Sequence, residues 1–306
     1  MHENTIDISI IIPTYNRDYS LAMTLERFSN QTLPLSRFEV IVIDDGSTDN
    51  TQNIVAQLQH KMLYRLSYIK QDKAGPAAAR NKGIKQARAD IVLFTGDDIF
   101  PKEDLLERHL ESHRQYPGVA VLGFVEWSSE LEITDFMRYL APDGLQFRYG
   151  TITDVNNCGF RHFYTSNVSL SKQWMREDLF DEDFPFAAYE DTEFAYRLEK
   201  KGLKIVFNKK AVGYHYHSLN LEYFCKRMKL TGISAAFCIR KHPELKSIML
   251  PVDISFAKII AWGLRRLAFL HKIHKRFFWS SKIIVSYIGG VAEGLRTAHQ
   301  HQKKDY

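Results

Sequence analysis

Residues 40–49 read Val40-Ile41-Val42-Ile43-Asp44-Asp45-Gly46-Ser47-Thr48-Asp49, an apolar, largely β-branched run that ends abruptly in a carboxylate-rich turn. An unbroken apolar run of this length is how a strand buried on both faces reads, and parallel sheets covered by helices are built from such strands. Working outward, comparable runs occur at Ile8–Ile12, Arg65–Lys70 and Ile91–Thr95. Helical periodicity fills the intervals at about Tyr19–Asn30, Thr51–His60 and Ala77–Ala87. This alternation predicts an α/β fold around a parallel sheet. Three strands end in polar residues: Pro13-Thr14-Tyr15-Asn16-Arg17, Asp44 to Asp49, and Gly96-Asp97-Asp98. Ligands of open α/β sheets sit beyond the carboxyl ends of the strands, so the three loops should converge on one site.

Further along, strands are expected at Val119–Val125 and around Tyr164–Leu170, and a helix from about Glu190 to Lys201, closed by Gly202. Lys204–Phe207 and Val212–His217 read as two strand-like segments, and the chain from about Asn220 reads as helices rich in Lys and Arg. The length of 306 residues suits one large domain or a domain with a substantial appendage. With 45% hydrophobic and 25% charged residues, the chain can bury a core and lies far from disordered compositions.

The net charge of +5 is unevenly spread. Residues 221–306 carry 16 Lys and Arg against 5 Asp and Glu, about +11, which leaves 25 against 31, about −6, for the rest. Such a split suggests that one end meets an anionic surface, either a membrane or a nucleic acid. No zinc, RNA-binding or basic-zipper pattern is present, so no nucleic-acid partner is expected. Ile254–Leu270 mixes apolar residues with Lys258, Arg265 and Arg266, and Lys275-Arg276 precede Phe277-Phe278-Trp279. That pattern fits an amphipathic helix lying on an anionic membrane surface, or equally a helical subdomain packing on the core or forming a dimer contact. Cys158, Cys225 and Cys238 are odd in number and far apart, which suggests neither a disulfide framework nor a zinc cluster and fits a reducing cytosol. The apolar run at Ile8–Ile12 is too short for a signal sequence, and no stretch approaches the roughly 20 apolar residues of a membrane span. The expected location is the cytoplasm, with peripheral attachment to the cytoplasmic face of a membrane open.

Three acidic clusters carry candidate chemistry. Asp44 to Asp49 is either an ordinary turn or a hydrogen-bonding edge for a nucleobase or ribose. Asp97-Asp98 is either a solvated turn or an oxygen-ligand site for Mg²⁺ or Mn²⁺, since adjacent carboxylates repel and are hard to bury without a cation. Glu190-Asp191 opens a helix, where acidic residues favour the helix dipole, yet its aromatic surroundings (Phe184, Phe186, Tyr189) also suit a sugar pocket. Arg80 follows a small-residue stretch, Ala74–Ala79, that lets a backbone approach a ligand closely. His215 and His217 would share one face of a strand.

Taken in order, Ile10–Arg17 (IIIPTYNR), Val42–Asp49 (VIDDGSTD), Ala77–Gly83 (AAARNKG), Leu93–Asp98 (LFTGDD), Glu190-Asp191 and His215 resemble family 2 of the GT-A glycosyltransferases, over about residues 6–240. The resemblance implies a GT-A catalytic domain over 1–220, a Rossmann-like, mostly parallel sheet flanked by helices. Its nucleotide-binding half would be about 1–118 and its acceptor half about 119–220, with a helical, basic extension over 221–306. The implied reaction is inverting transfer of a sugar from a nucleotide-diphosphate sugar, UDP-sugar by default. The acceptor would be a glycan or lipid-linked hydroxyl in cell-surface polysaccharide or glycoconjugate assembly, with Mn²⁺ or Mg²⁺ as cofactor. By position, Pro13, Thr14, Tyr15 and Arg17 would surround the nucleotide, Asp44 meet the base, Arg80 the base or diphosphate, and Asp97 the ribose and metal. Asp98 would bind the metal with His215 as a further ligand, Asp191 would be the general base and Glu190 would position the acceptor. The sequence departs from the family's Asp-x-Asp at Gly96, so either Asp97 takes the place of the first carboxylate or a ribose contact is lost. A nucleotide-sugar-binding module without turnover is the alternative that this departure raises.

Overall fold

A computed structural model describes residues 5–250 and 275–302. By contact density the chain divides into two compact units. One comprises the residues up to Ile133, Leu140–Glu182 and Asp191–Ser218; the other comprises Thr134–Tyr139, Asp183–Glu190 and the described residues from Leu219 onward.

The first unit is built on one eight-stranded sheet. Its strands are β1 (Ile8–Thr14), β2 (Phe38–Asp44), β3 (Arg65–Lys70), β4 (Ile91–Thr95), β5 (Ile99–Pro101), β6 (Ala120–Trp127), β7 (Asn167–Ser171) and β8 (Ile205–His215). They lie in the order β3-β2-β1-β4-β7-β6-β8-β5. The pairs β1–β2, β2–β3 and β1–β4 are parallel, β7 runs antiparallel between β4 and β6, and β8 is parallel to β6. Helices α1 (Asp18–Phe28), α2 (Thr51–Gln59), α3 (Gly75–Gln86), α4 (Leu105–Gln115) and α6 (Glu190–Lys200) flank this sheet, while the short α5 (Asp135–Leu140) belongs almost wholly to the other unit. The central strands are buried along their whole length because helices cover both faces. That is why β2 shows a continuous hydrophobic run and not an alternating one.

The parallel half follows the reading from sequence closely; two differences lie at the opposite edge. The segments Lys204–Phe207 and Val212–His217 form a single strand, β8, whose pairing with β6 shifts register between Gly123 and Phe124. The polar Asn208-Lys209-Lys210 in its middle occupies that irregularity, and an irregular register is how a strand accommodates such an interruption without ending. The other is β5, three residues with a proline, which pairs antiparallel only with β8. Proline is tolerated there because an edge strand has one side that need not donate.

The second unit is helical, with α7 (Leu221–Lys241), a single turn α8 (Lys246–Met249) and α9 (Lys275–Gln302). α7 and α9 are packed backbone to backbone through glycines: a Cβ on Gly290 would lie 1.9 Å from the Lys229 carbonyl oxygen, and one on Gly232 would lie 2.2 Å from that of Tyr287. Ile254–Leu270, read above as an amphipathic helix, lies outside the described residues.

Candidate active site

The loops after β1, β2 and β4 meet at the carboxyl edge of the sheet. β1 ends at Thr14, whose hydroxyl donates to Asp97 Oδ2 at 2.7 Å. In the next turn Asn16 takes a φ of 52°, and its backbone N–H donates to Ser47 Oγ while its Oδ1 accepts from the Thr48 N–H. The first two loops are thus tied together. Asp44 and Asp45 part company beyond β2. Asp45 accepts from the backbone N–H groups of Ala74 and Gly75 and from the Gln71 amide, so it caps the N-terminus of α3. Asp44 is fully buried and accepts from the Ser47 N–H and the Tyr68 hydroxyl. Burial, with Asp44's charge beside it, keeps the Tyr68 phenol protonated.

A cleft of about 640 Å³ opens here, lined by Gly46–Thr48, Lys70–Lys73 and Lys82. Tyr15, half-exposed, carries the Lys73 ammonium over its ring. Pro13 pairs with Ile43 in the β1–β2 register. Arg80 lies on α3 with its guanidinium 5.4 Å from the Phe180 ring. Its neighbour Asn81 exchanges two hydrogen bonds with the Phe180 backbone, which pins α3 to the segment before α6.

Asp97 and Asp98 follow β4. Burial and the charge of Asp98 push the Asp97 carboxyl up to about 7. Burial alone would raise Asp98 as well, but His215 and His217 outweigh it and hold Asp98 well below the usual carboxylate range. His215 Nε2 lies 3.5 Å and His217 Nδ1 3.2 Å from Asp98 Oδ2. One ligand atom from each of the three residues fits within a 4.8 Å cluster. An oxygen and two imidazole nitrogens facing one point, beside a second buried carboxyl, is a donor set that suits a divalent first-row cation. The residues therefore fit a metal. His215 and His217 both reach Asp98, although β8 ends at His215 and His217 lies two residues beyond it. Arg17 also closes on this cluster, its Nη2 lying 3.2 Å from His217 Nδ1.

Gly96 has a physical reason in this arrangement. A Cβ there would lie 3.0 Å from Asp98 Oδ1 and 3.2 Å from Ile99 Cγ1, so a carboxylate in its place would crowd the Asp98 side chain.

Three residues beside the cluster carried no signal in the sequence. Trp127, at the end of β6, stacks on His215 at 5.2 Å; Phe147 meets the same imidazole edge-on at 6.3 Å; and Gln146 Nε2 lies 3.3 Å from its Nδ1. The strand-end rule applied to β6 would have found Trp127. Gln146 sits in an irregular segment and has no pattern to betray it.

Glu190 and Asp191 open α6, after Tyr189 in the left-handed region at φ 66°. A tyrosine there is uncommon and costs energy, a feature that clusters at functional sites. Glu190 is buried, and Asp191 accepts from the N–H and hydroxyl of Thr192. The Tyr164 phenol is raised above its ordinary range by burial and then by the Asp191 charge. Tyr164 packs on Phe147 at 5.7 Å. Tyr164, Phe147 and His215 thus form a line of aromatic contacts that ends at the Asp98 cluster, and the charge of Asp191 acts on its far end.

Comparison with known proteins gives the family and the fold. The profile of Glycosyl transferase family 2 matches residues 9–179. A dolichyl N-acetyl-alpha-D-glucosaminyl phosphate 3-beta-D-2,3-diacetamido-2,3-dideoxy-beta-D-glucuronosyltransferase of Methanococcus voltae is 29% identical over 76% of this chain and 74% of its own length. The next two relatives are longer, and the chain spans 57% and 61% of them. Among solved structures, the mannosyltransferase PcManGT of Pyrobaculum calidifontis, in complex with GDP-Man and Mn²⁺, superposes with a TM-score of 0.68 at 17% identity, covering 95% of this chain and 87% of that one. TarS residues 1–349 of Staphylococcus aureus, in complex with UDP, gives 0.56 at 18% identity over 96% and 92%. The fold is that of the GT-A glycosyltransferases, with a helical C-terminal segment.

Proposed function

Because the chain belongs to glycosyl transferase family 2, we propose that it is a metal-dependent, inverting hexosyltransferase. It would move a sugar from a UDP-sugar to a hydroxyl of a glycan or lipid-linked acceptor in polysaccharide or glycoconjugate assembly. The observation that carries the reading is the cluster of Asp98, His215 and His217 at the carboxyl ends of the strands, with one ligand atom from each within 4.8 Å of the others. A cation held there would face a donor diphosphate, and Asp191, whose charge acts on Tyr164 beside the cluster's aromatic wall, is the carboxylate proposed as the base.

Inversion by direct displacement needs little more. The acceptor oxygen forms a bond to the anomeric carbon while the bond from that carbon to the diphosphate oxygen breaks. Asp191 takes the acceptor proton, the nucleoside diphosphate leaves with the bonding electrons, and Glu190 positions the acceptor. Mn²⁺ or Mg²⁺, when bound by Asp98, His215 and His217, would neutralise the charge on the departing diphosphate. Imidazole donors favour Mn²⁺ of the two.

On the donor side, Thr14 and Asp97 would face the ribose, Arg17 and Arg80 the diphosphate, and Pro13, Tyr15 and Asp44 the base. A carboxylate at Asp44 can accept from the ring N–H of uracil, which cytosine lacks. Residues 1–220 would form the catalytic domain, with the nucleotide half before about 118 and the acceptor half after it. Residues 221–306 would be a basic extension that attaches the enzyme to the cytoplasmic face of a membrane. Among the described residues no helix is long and apolar enough to cross one.

The test is thermal unfolding against UDP-, GDP-, CMP- and dTDP-sugars with Mn²⁺, with Mg²⁺ and with chelator. A donor at about 100 times its Kd stabilises by roughly 2.7 kcal/mol. A shift confined to UDP-sugars and abolished by chelator is expected; a shift with another nucleotide reassigns the donor, and no shift with any of them removes the reading.

A further inference from the structure

His215 has two ring nitrogens with separate partners. Nε2 lies 3.5 Å from Asp98 Oδ2, within the three-residue cluster, and Nδ1 lies 3.3 Å from the Gln146 amide. The ring has little freedom to turn, since Trp127 stacks on it nearly parallel, at 13°, and Phe147 abuts its edge. What can change is where its proton sits.

Without a cation, Nε2–H donates to Asp98 Oδ2. Nδ1 is then a lone pair and accepts from Gln146 Nε2–H. A metal ligand must instead present a bare nitrogen. If Nε2 is to bind, the imidazole proton has to move to Nδ1, and Gln146 must then offer an acceptor. Gln146 carries that acceptor: its Oε1 is buried and has no hydrogen-bond partner among the described residues. A half-turn about the terminal torsion of the side chain exchanges Nε2 for Oε1 and converts the amide from donor to acceptor. The backbone around it need not move. Gln146 N–H donates to the Leu140 carbonyl, and Phe147 packs on Tyr149 and Tyr164. A carboxylate at position 146 would serve only the Nδ1–H form, and an apolar side chain would serve neither.

We propose that Gln146 is a positioning residue for the metal site, a reversible amide that satisfies His215 in both tautomers and so lets Nε2 become a ligand when a divalent cation arrives. The inference rests on the metal site proposed above. It also assigns work to the segment between α5 and β7: the residue that readies the metal ligand is tied to the last residue of α5 through its backbone N–H and precedes the Phe147 that contacts Tyr164.

The experiment uses the full chain with histidine-selective ¹⁵N labelling. His215 should report Nε2–H in metal-free protein and Nδ1–H with Mg²⁺, whereas Gln146→Glu should report Nδ1–H in both states. In parallel, Mn²⁺ binding is followed by the free-ion electron paramagnetic resonance signal. Gln146→Leu should weaken Mn²⁺ by about 10- to 100-fold, the usual cost of losing such a supporting partner, while Gln146→Glu retains at least wild-type affinity. If Gln146→Leu does not fold, the wild-type tautomers and Gln146→Glu still decide. Wild-type protein that binds Mn²⁺ but keeps one His215 tautomer throughout, or Gln146→Leu with wild-type affinity, overturns the inference alone. Wild-type protein that binds neither ion overturns it together with the metal site.

Discussion

A carboxylate that removes a proton in the transition state has a different signature from one that holds the donor. Asp191 sits in the first turn of α6, partly exposed, with one oxygen on Thr192 and its charge acting on Tyr164. Asp191→Asn keeps the shape and removes the basicity, so transfer should fall by about 10² to 10⁴-fold. Donor affinity, read by thermal shift with UDP-sugar and Mn²⁺, should stay near wild type; an equal loss of both would place Asp191 in the donor site. A second residue-scale case is His109, in the core of the first unit. Asn167 Oδ1 can only accept, so His109 Nε2–H donates to it. His109 Nδ1 must then accept from the Ser169 hydroxyl, whose oxygen in turn accepts from His113 Nε2–H. With both imidazoles neutral, every hydrogen bond in this chain is satisfied. Burial, with His113 close by, accordingly pushes His109 down to about 3, and burial pushes His113 down to about 4. Both lie below the unfolded value near 6.5, so the unfolded chain binds more protons between those limits. Stability is therefore complete above about pH 6.5 and declines as the pH falls toward 4 and 3. Urea unfolding across that range checks this. His109→Leu should lessen the acid slope while costing about 1–3 kcal/mol at neutral pH, because it strands Asn167 Oδ1.

Elements differ in how plainly they were written. β1, β2 and β4 were legible because strands covered on both faces leave apolar runs, and their polar ends marked the candidate loops with them; β3, at the sheet edge, is only partly buried and was legible from its place in the strand–helix alternation. β5 was not legible: three residues with a proline have no period to detect, and only the β8 edge makes them a strand. At the site, the Asp97-Asp98 and His215 signals were local in sequence. The pairing of both imidazoles with Asp98 depends on β5 lying beside β8, a long-range fact. Gln146 and Phe147 reach His215 from an irregular segment, where no periodicity exists to be read. α7 and α9 show a further limit, since Gly232 and Gly290 look like helix weaknesses in sequence and are in fact the contact. Their missing side chains let the Lys229 and Tyr287 carbonyls approach the opposite helix. Gly290→Ala would place a methyl 1.9 Å from the Lys229 oxygen, where neither backbone can yield cheaply. Overpacking of this kind costs about 1–3 kcal/mol or more, although alanine is otherwise the better helix former by about 1 kcal/mol. Calorimetry should find the second unit destabilised; a rise in its melting temperature would show that the helices separate without loss.

Over the whole molecule, positive charge is concentrated at one end of the chain. Residues 221–306 are about +11 (16 basic minus 5 acidic) while residues 1–220 are about −6 (25 minus 31). Within that basic part, Tyr223 and Leu230 on α7, and Phe277 and Ile284 on α9, are large apolar side chains left at least 38% exposed. Each pair is spaced by seven, two turns along one helix face. Lys226 and Lys229 on α7, and Lys275 and Lys282 on α9, stand near them in sequence. Lys226 and Lys229 are engaged with Glu222 and Glu293. Aromatic and aliphatic anchors among lysines are what peripheral binding to anionic lipid requires, the apolar groups entering the interface while each lysine near the surface adds about 1 kcal/mol. Overall net charge alone would predict weak binding, since the acidic residues 1–220 are repelled by the same surface. The asymmetry predicts instead that binding is carried by the C-terminal region and is strongly salt-dependent. The full chain should therefore sediment with vesicles containing phosphatidylglycerol and be released as NaCl rises from about 0.05 to about 0.5 M, where the Debye length shrinks from over 10 Å to a few Å. It should not sediment with pure phosphatidylcholine. Phe277→Ser together with Ile284→Ser should weaken sedimentation while leaving donor-induced thermal stabilisation intact. Equal binding to neutral vesicles would assign attachment to apolar burial alone, and no binding to either would leave the basic helices to a protein partner.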